Sequence, residues 1–273
     1  MTKVTLWEHP LSPYAQKNKI ALREKGVAFE LVTPGGVGSG AAAEDFLKAN
    51  PRLEVPALVH DGVAIFDSTI IQEYIEETWP EPRLMPVSPI ARARARMIEE
   101  VMDTQYEAIT WGFMEVRGFG RAPGELGEAL IARGLEQLAG LNAWLERELA
   151  GREWFNGDSF GWADVAVVPF VQGAVGYGGG PARGSDLSDW LARMTARPSV
   201  SATSGEAKAA AEAMSQALTA MRGSAPAGST GGSPAFKREY RDHRLEWMIR
   251  SGGLKVVSDG LASDTIRFGR ELS

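Results

Sequence analysis

A chain without a single cysteine has no thiol of its own to serve as nucleophile or metal ligand, so any side-chain chemistry falls to hydroxyls, carboxylates and three histidines. Ser12 is the first candidate. It stands directly before Pro13, where a strand-like run passes into a helical pattern, the arrangement of an N-cap serine followed by proline at the first helical position. Tyr14 lies inside that first turn. Asp67 and Ser68 precede another helix and form a second capping pair. Asp164, three residues after Gly161, is placed to reach back to the start of its own helix, which gives it a folding role and leaves half of a capping box. The three histidines are scattered and make no metal constellation, so no metal is expected. Arg92, Arg94 and Arg96 alternate along a helix start and read as a solvated face or a subunit contact.

The elements that must position these residues follow from periodicity and breakers. Residues 3–7 form a short strand ending at the turn-rich His9-Pro10-Leu11-Ser12-Pro13, and a helix carrying Tyr14, Ile20, Ala21 and Leu22 runs to Gly26. Val27 to Val32 reads as a second strand. Gly35 to Gly40 is too glycine-rich for regular structure, and 41–49 is a short helix stopped by Asn50-Pro51. Val55 to Val59, a turn at 60–62 and Val63 to Phe66 make a hairpin, and a helix from Thr69 to Trp79 closes the unit with Ile70, Ile71, Tyr74 and Ile75 as its apolar face. Pro80 and Pro82 break the chain, and Pro86 and Pro89 keep it extended. Helical patterns then cover 90–114, 127–149, 162–171, 187–194 and 207–221, with a glycine-rich loop at 173–184. The expected domains are 1–81, a linker at 82–89, an all-helical domain at 90–222, a small-residue linker at 223–235 and a tail at 236–273. Phe236, Tyr240, Arg244 and Trp247 form one helical stripe in that tail, and Leu254, Val257 and Leu261 extend an apolar theme toward Phe268.

Composition narrows the function classes. The 273 residues are 44% hydrophobic and 23% charged, enough for a core without disulfides. Twenty-nine basic residues against 35 acidic ones leave a formal charge of −6, which argues against nucleic acid or an anionic membrane as a partner. The first ten residues carry no secretory leader, and no stretch reaches the roughly 18 apolar residues a membrane span requires, so a cytoplasmic protein is expected.

The βαβ-ββα order of the first eighty residues and the all-helical remainder closely resemble the cytosolic glutathione transferase family. Four motifs carry the resemblance, which covers about residues 3–222: SPYAQKNKIAL, NPRLEVPAL, FDSTIIQEYI and GDSFGWADVAVVPF. It implies a thioredoxin-like α/β domain followed by an all-α domain, with glutathione as co-substrate and a homodimeric assembly. It also implies that the Ser12 hydroxyl donates a hydrogen bond to the glutathione sulfur and, helped by the positive end of its helix, favours thiolate over thiol. Ser68 would bind the γ-glutamyl carboxylate, Asp67 the glutamyl amine, and Val55 the cysteinyl amide beside a cis Pro56. Glu54 departs from the lysine or glutamine of many relatives, which leaves Arg52 or Lys48 to face the glycyl carboxylate. His9, Leu11, Trp111, Met114 and Phe119 are the implied electrophile contacts, with core packing as the ordinary alternative for the aromatic residues. The expected reaction is addition or substitution at carbon of an apolar electrophile, with aromatic ether cleavage or dehalogenation as possible subtypes. The rival expectation is a non-catalytic, partner-binding protein on the same fold. The tail is expected to fold across the pocket mouth or onto a neighbouring subunit.

Overall fold

The computed structural model describes residues 3–35, 44–224 and 237–269, with 217–224 described by backbone alone. Its chain divides into two compact units. One comprises Met1–Gln72, Pro198–Glu239 and Asp264–Ser273, the other Glu73–Arg197 and Tyr240–Ser263.

In the first unit β1 (Val4–Trp7), α1 (Pro13–Glu24), β2 (Glu30–Val32), α2 (Glu44–Ala49), β3 (Ala57–His60) and β4 (Val63–Phe66) follow in order, and α3 (Ser68–Thr78) begins there. The sheet order is β2-β1-β3-β4, with β1 and β2 parallel and the other pairs antiparallel. This is a thioredoxin-like arrangement. The alternation of β1 turns Val4 and Leu6 inward, while Trp7 packs toward a cluster of Phe46, Ala49 and Ala57. The second strand is shorter than expected because Val27 N–H closes the end of α1 on the Leu22 carbonyl at 3.0 Å, after Gly26 at φ +65°. The third begins only at Ala57, just beyond the cis Val55–Pro56 bond. Asp61 and Gly62, both at positive φ, make the two-residue turn of the hairpin. On α3 the buried residues are Ser68, Ile71, Gln72 and Ile75, whereas Ile70 is 52% exposed. The apolar face is therefore rotated from the expected one, and it carries a glutamine.

In the second unit Pro89 starts a helix instead of extending the chain: Ser88 caps α4 (Pro89–Val101), accepting Ala91 N–H at 3.2 Å. Helical structure continues from there to Gly118 through α5 (Glu107–Phe113) and two π-helical segments, Met102–Tyr106 and Met114–Gly118. Next come α6 (Glu125–Leu149), α7 (Trp162–Val175) and α8 (Asp186–Ala196). The apolar α7 is buried on all sides from Trp162 to Val171 and runs on past Gly173, so the glycine-rich loop starts later than expected. Asp164 accepts hydrogen bonds from the backbone of Phe155, Asn156 and Gly161 and from Trp190 Nε1, and burial pushes its carboxyl up to about 6 despite them. Its folding role is borne out.

In the first unit, α9 (Pro198–Ser224) starts nine residues before the expected 207. The run Ser199 to Gly205 is poor in helix formers, but Val200 and Thr203 are buried, Glu206 pairs with Lys19 and Arg23, and Ser199 bonds Glu24 of α1. Tertiary pairing overrides propensity here. The glycine run at 36–40, residues 41–43 and the linker residues 225–236, with Phe236, lie outside the described residues.

The tail is not one helical stripe. β5 (Arg238–Glu239) pairs in parallel with β6 (Ile266–Arg267), and Arg238 N–H is spent on the Thr265 carbonyl at 2.9 Å, which keeps this stretch extended. Helix begins only with α10 (Asp242–Arg250), followed by α11 (Leu254–Ala262). In α11 Val256, Val257 and Gly260 are buried while Leu254 and Leu261 are exposed, and Phe268, beyond β6, is exposed as well. Packing of α10 against α5 belongs to the second unit. No helix among the described residues is long and apolar enough to cross a membrane.

Candidate active site

The turn between β1 and α1 places Ser12. Ser12 N–H donates to the His9 carbonyl at 2.8 Å, and Gln16 Nε2 holds the Pro10 carbonyl at 2.8 Å. The half-buried Ser12 is the N-cap of α1, its Oγ accepting Ala15 N–H at 3.3 Å. The cap takes one lone pair. The hydroxyl proton is still there to be donated, so capping and donation to an anion at the helix start do not compete. His9 Nδ1 accepts Leu11 N–H at 3.3 Å. Burial first, then the charges of Lys19 and Arg238, hold the His9 pKa below its ordinary value and keep the imidazole neutral near pH 7.

Lys19, in the second turn of α1, is fully buried and lies 3.0 Å from the buried Glu8 and 2.9 Å from Glu206. Burial alone would raise the Glu206 pKa, but hydrogen bonds and charge from Lys19 and Arg23 lower it instead. Asn18 donates from Nδ2 to the Ser68 carbonyl at 2.9 Å. None of Glu8, Asn18, Lys19 and Gln72 was singled out from the sequence. The one available signal was a set of polar residues falling on faces whose neighbours, Ala15, Leu22 and Ile75, are apolar.

Asp67 and Ser68 divide the work at α3. Asp67, at φ +78°, is the cap: its Oδ1 accepts Thr69 N–H at 3.0 Å and Ile70 N–H at 3.3 Å. Ser68 is thereby the first helical residue, 6% exposed. Asn50 braces the turn before Val55, accepting Arg52 N–H at 2.9 Å and donating to the Glu54 carbonyl at 2.7 Å, with Leu53 at φ +59°. The Arg52 guanidinium lies over the Phe66 ring, 5.8 Å from its centroid. Lys48 is exposed and turned to Glu44 and Asp45 of its own helix, at 2.9 and 3.7 Å.

The first unit carries these residues on the fold of a known family. Models of the glutathione S-transferase N-terminal domain and C-terminal domain match residues 6–83 and 128–193. Glutathione S-transferase U28 of Arabidopsis thaliana is 36% identical over 172 residues, covering 62% of this chain and 71% of that protein. The chain belongs to the glutathione S-transferase family. A stringent starvation protein A homolog of Haemophilus ducreyi is 30% identical over 158 residues, covering 58% and 68% of the two chains. Among solved structures, rice GST1 in complex with glutathione matches with a TM-score of 0.64 and 26% identity, covering 79% of this chain and 97% of that one.

In the second unit of this glutathione S-transferase, Met114 and Phe119 are half-buried, and Trp111 is 6% exposed under the tail. The Tyr240 ring stands edge-on to Trp111 at 4.6 Å, and the Arg244 guanidinium lies over it at 5.3 Å. Tyr240 OH donates to Glu115 at 3.0 Å. Arg244 makes two hydrogen bonds to the buried Glu107, at 3.0 and 2.6 Å, and His243 Nε2 lies 3.1 Å from the same carboxylate. Trp247 Nε1 donates to Gln137 at 2.7 Å. Among the described residues no three of His, Asp and Glu converge as a metal ion would need.

Proposed function

We propose that this transferase binds glutathione on its first unit and activates it as a thiolate for attack on an apolar electrophile. The observation that carries the reading is the geometry of Ser12, whose oxygen is occupied by a cap while its proton remains to be given to sulfur. Ala15 N–H, accepted by that oxygen, makes the hydroxyl a better donor. The N-terminus of α1 favours the anion, whereas the charge of Lys19 is already met by Glu8 and Glu206. His9, kept neutral, adds an apolar face beside Leu11 rather than a charge.

The peptide is anchored away from the sulfur. Val55 offers its backbone to the cysteinyl amide, next to the cis Pro56. Ser68, at the start of α3, takes the γ-glutamyl carboxylate, and Asp67 keeps its Oδ2 for the glutamyl amine while Oδ1 caps the helix. Arg52 is the better partner for the glycyl carboxylate, because the charge of Lys48 is already met by Glu44 and Asp45. The thiolate forms a carbon–sulfur bond, and the electron pair leaves with a departing group or is quenched by a proton. Met114 and Phe119 are the electrophile contacts assigned to the helical unit. Aromatic ether cleavage and dehalogenation are particular forms of this chemistry.

A second reading, a non-catalytic partner-binding protein, draws on one observation: Lys48 is spent within its helix and an acid, Glu54, stands near the glycyl end. Calorimetry with glutathione, paired with conjugation of a chloronitrobenzene, separates the two. Saturable binding with turnover is expected, binding without turnover favours the second reading, and no binding overturns the first.

A further inference from the structure

The first turn of α3 rests on a side chain from another helix. Asn18, fully buried in α1, donates from Nδ2 to the Ser68 carbonyl at 2.9 Å. The backbone N–H of Gln72 faces that same carbonyl one helical turn later. Gln72 is 1% exposed, and neither its Oε1 nor its Nε2 has a hydrogen-bond partner among the described residues; the same holds for Asn18 Oδ1. Three amide atoms are thus buried without partners, on the two residues that flank one carbonyl. Buried polar atoms are seldom left so, because each would otherwise keep its hydrogen bonds to water. An apolar pair of the same volume would fill this space without that cost.

We propose that Asn18 and Gln72 are positioning residues for the γ-glutamyl anchor. Asn18 restrains the Ser68 carbonyl, and through it the Ser68 N–H and hydroxyl that face the carboxylate. One buried water, accepting from Gln72 Nε2 and donating to Asn18 Oδ1, holds the Asn18 amide in the orientation in which nitrogen, not oxygen, meets Ser68. Buried waters ordinarily make about three hydrogen bonds, the number of atoms open here. Recognition of a carboxylate by one N–H and one hydroxyl tolerates errors of only about 10–20° in their direction, which is what such a tether controls. The proposal rests on the reading of Ser68 as a glutathione anchor.

A double-mutant cycle tests it. Glutathione affinity and steady-state constants are measured for the wild type, Asn18→Leu, Ser68→Ala and the double variant, with thermal unfolding to show that each folds. Loss of one orienting hydrogen bond should weaken glutathione binding about 3- to 10-fold and fall on KM more than on kcat, since the sulfur end is untouched. In the Ser68→Ala background, which removes the hydroxyl and keeps the backbone N–H, the effect of Asn18→Leu should shrink by about half on a logarithmic scale. Should Asn18→Leu not fold, Gln72→Met, which keeps the tether, carries the same cycle with an expected loss of about threefold. Full additivity would overturn the inference while leaving Ser68 as an anchor. So would a high-resolution crystal structure with no water between Asn18 and Gln72. A wild-type protein that binds no glutathione would overturn both the anchor and its support.

Discussion

Two roles share the Ser12 hydroxyl, and one substitution separates them. Glycine is a tolerable N-cap, so Ser12→Gly should cost only a few tenths of a kcal/mol in stability. The bond to a thiolate has no such substitute. A hydrogen bond to a charged group is worth about 1.5–3 kcal/mol, so its loss should raise the pKa of bound glutathione by about one to two units and slow conjugation at pH 7 about 10- to 100-fold. Thiolate absorbance against pH is the measurement, and coincident titrations of wild type and variant would reduce Ser12 to a cap. Glu107 carries a second prediction. Burial by itself would raise its pKa, yet Arg244 and His243 outweigh burial and hold it at about 2. An unfolded glutamate titrates near 4.3, so the stability from this pair is complete above that pH and is lost as the pH falls through about 2. Arg244→Ala strands the buried carboxylate and should cost about 3–5 kcal/mol in urea unfolding at pH 7. The exposed pair Arg250–Glu246 is the control: Arg250→Ala should change stability by less than about 0.5 kcal/mol. The gap between Arg244→Ala and wild type should close toward pH 2, and parallel curves would refute the assignment.

Among the elements, α10 is held to α5 by a seat that only glycine provides. A Cβ at Gly112 would lie 2.0 Å from Cζ3 of Trp247, so Gly112→Ala must displace the indole that anchors α10. The cost should be about 1–3 kcal/mol, with faster proteolysis within 237–269 and a red shift in tryptophan emission as Trp111 and Trp247 meet water. Gly140, in the middle of α6 with nothing within 4 Å of a Cβ, should behave oppositely. Gly140→Ala is expected to gain about 0.5–1 kcal/mol from helix propensity alone. If both alanine variants leave proteolysis of the tail unchanged, Trp247 is not its anchor. At α9 the helix start is decided by Val200, Thr203 and Glu206 meeting α1, which no local pattern of serine, threonine and glycine announces.

For the molecule as a whole we propose a homodimer. Long helices such as α4 and α6 offer surface for it, and Ile90 and Met97, 80% and 50% exposed, are apolar residues on that surface. Sedimentation at micromolar concentration should give about twice the chain mass of 29.4 kDa. A monomer at that concentration counts against the assembly. Dimer formation weakened by Ile90→Asp would place the contact on α4.

The family was legible as a resemblance carried by four motifs. The sequence alone also determined the order of strands and helices up to residue 196, the cap at Ser12 and the hairpin turn at Asp61-Gly62, but not the cap at Ser88, where Pro89 was expected to keep the chain extended. The order, the Ser12 cap and the turn rest on short-range physics: period-two or period-3.6 burial, a side-chain oxygen at a helix start, a positive φ that glycine accepts. Spacing also placed Ser12, Asp67 and Ser68 at helix starts, because capping is local. Only the tertiary structure decided that Asn18 reaches Ser68 fifty residues away, that Lys19 is buried between Glu8 and Glu206, and that Trp111 lies beneath Tyr240 and Arg244. The same was true of where α9 begins and of the tail, whose stripe of Tyr240, Arg244 and Trp247 is split between extended chain and helix by the pairing of Arg238 with a strand 28 residues later. The reason is common to all of them: a polar group spent on a partner distant in sequence leaves no periodic trace, and a backbone N–H claimed by another strand overrides the local preference for helix.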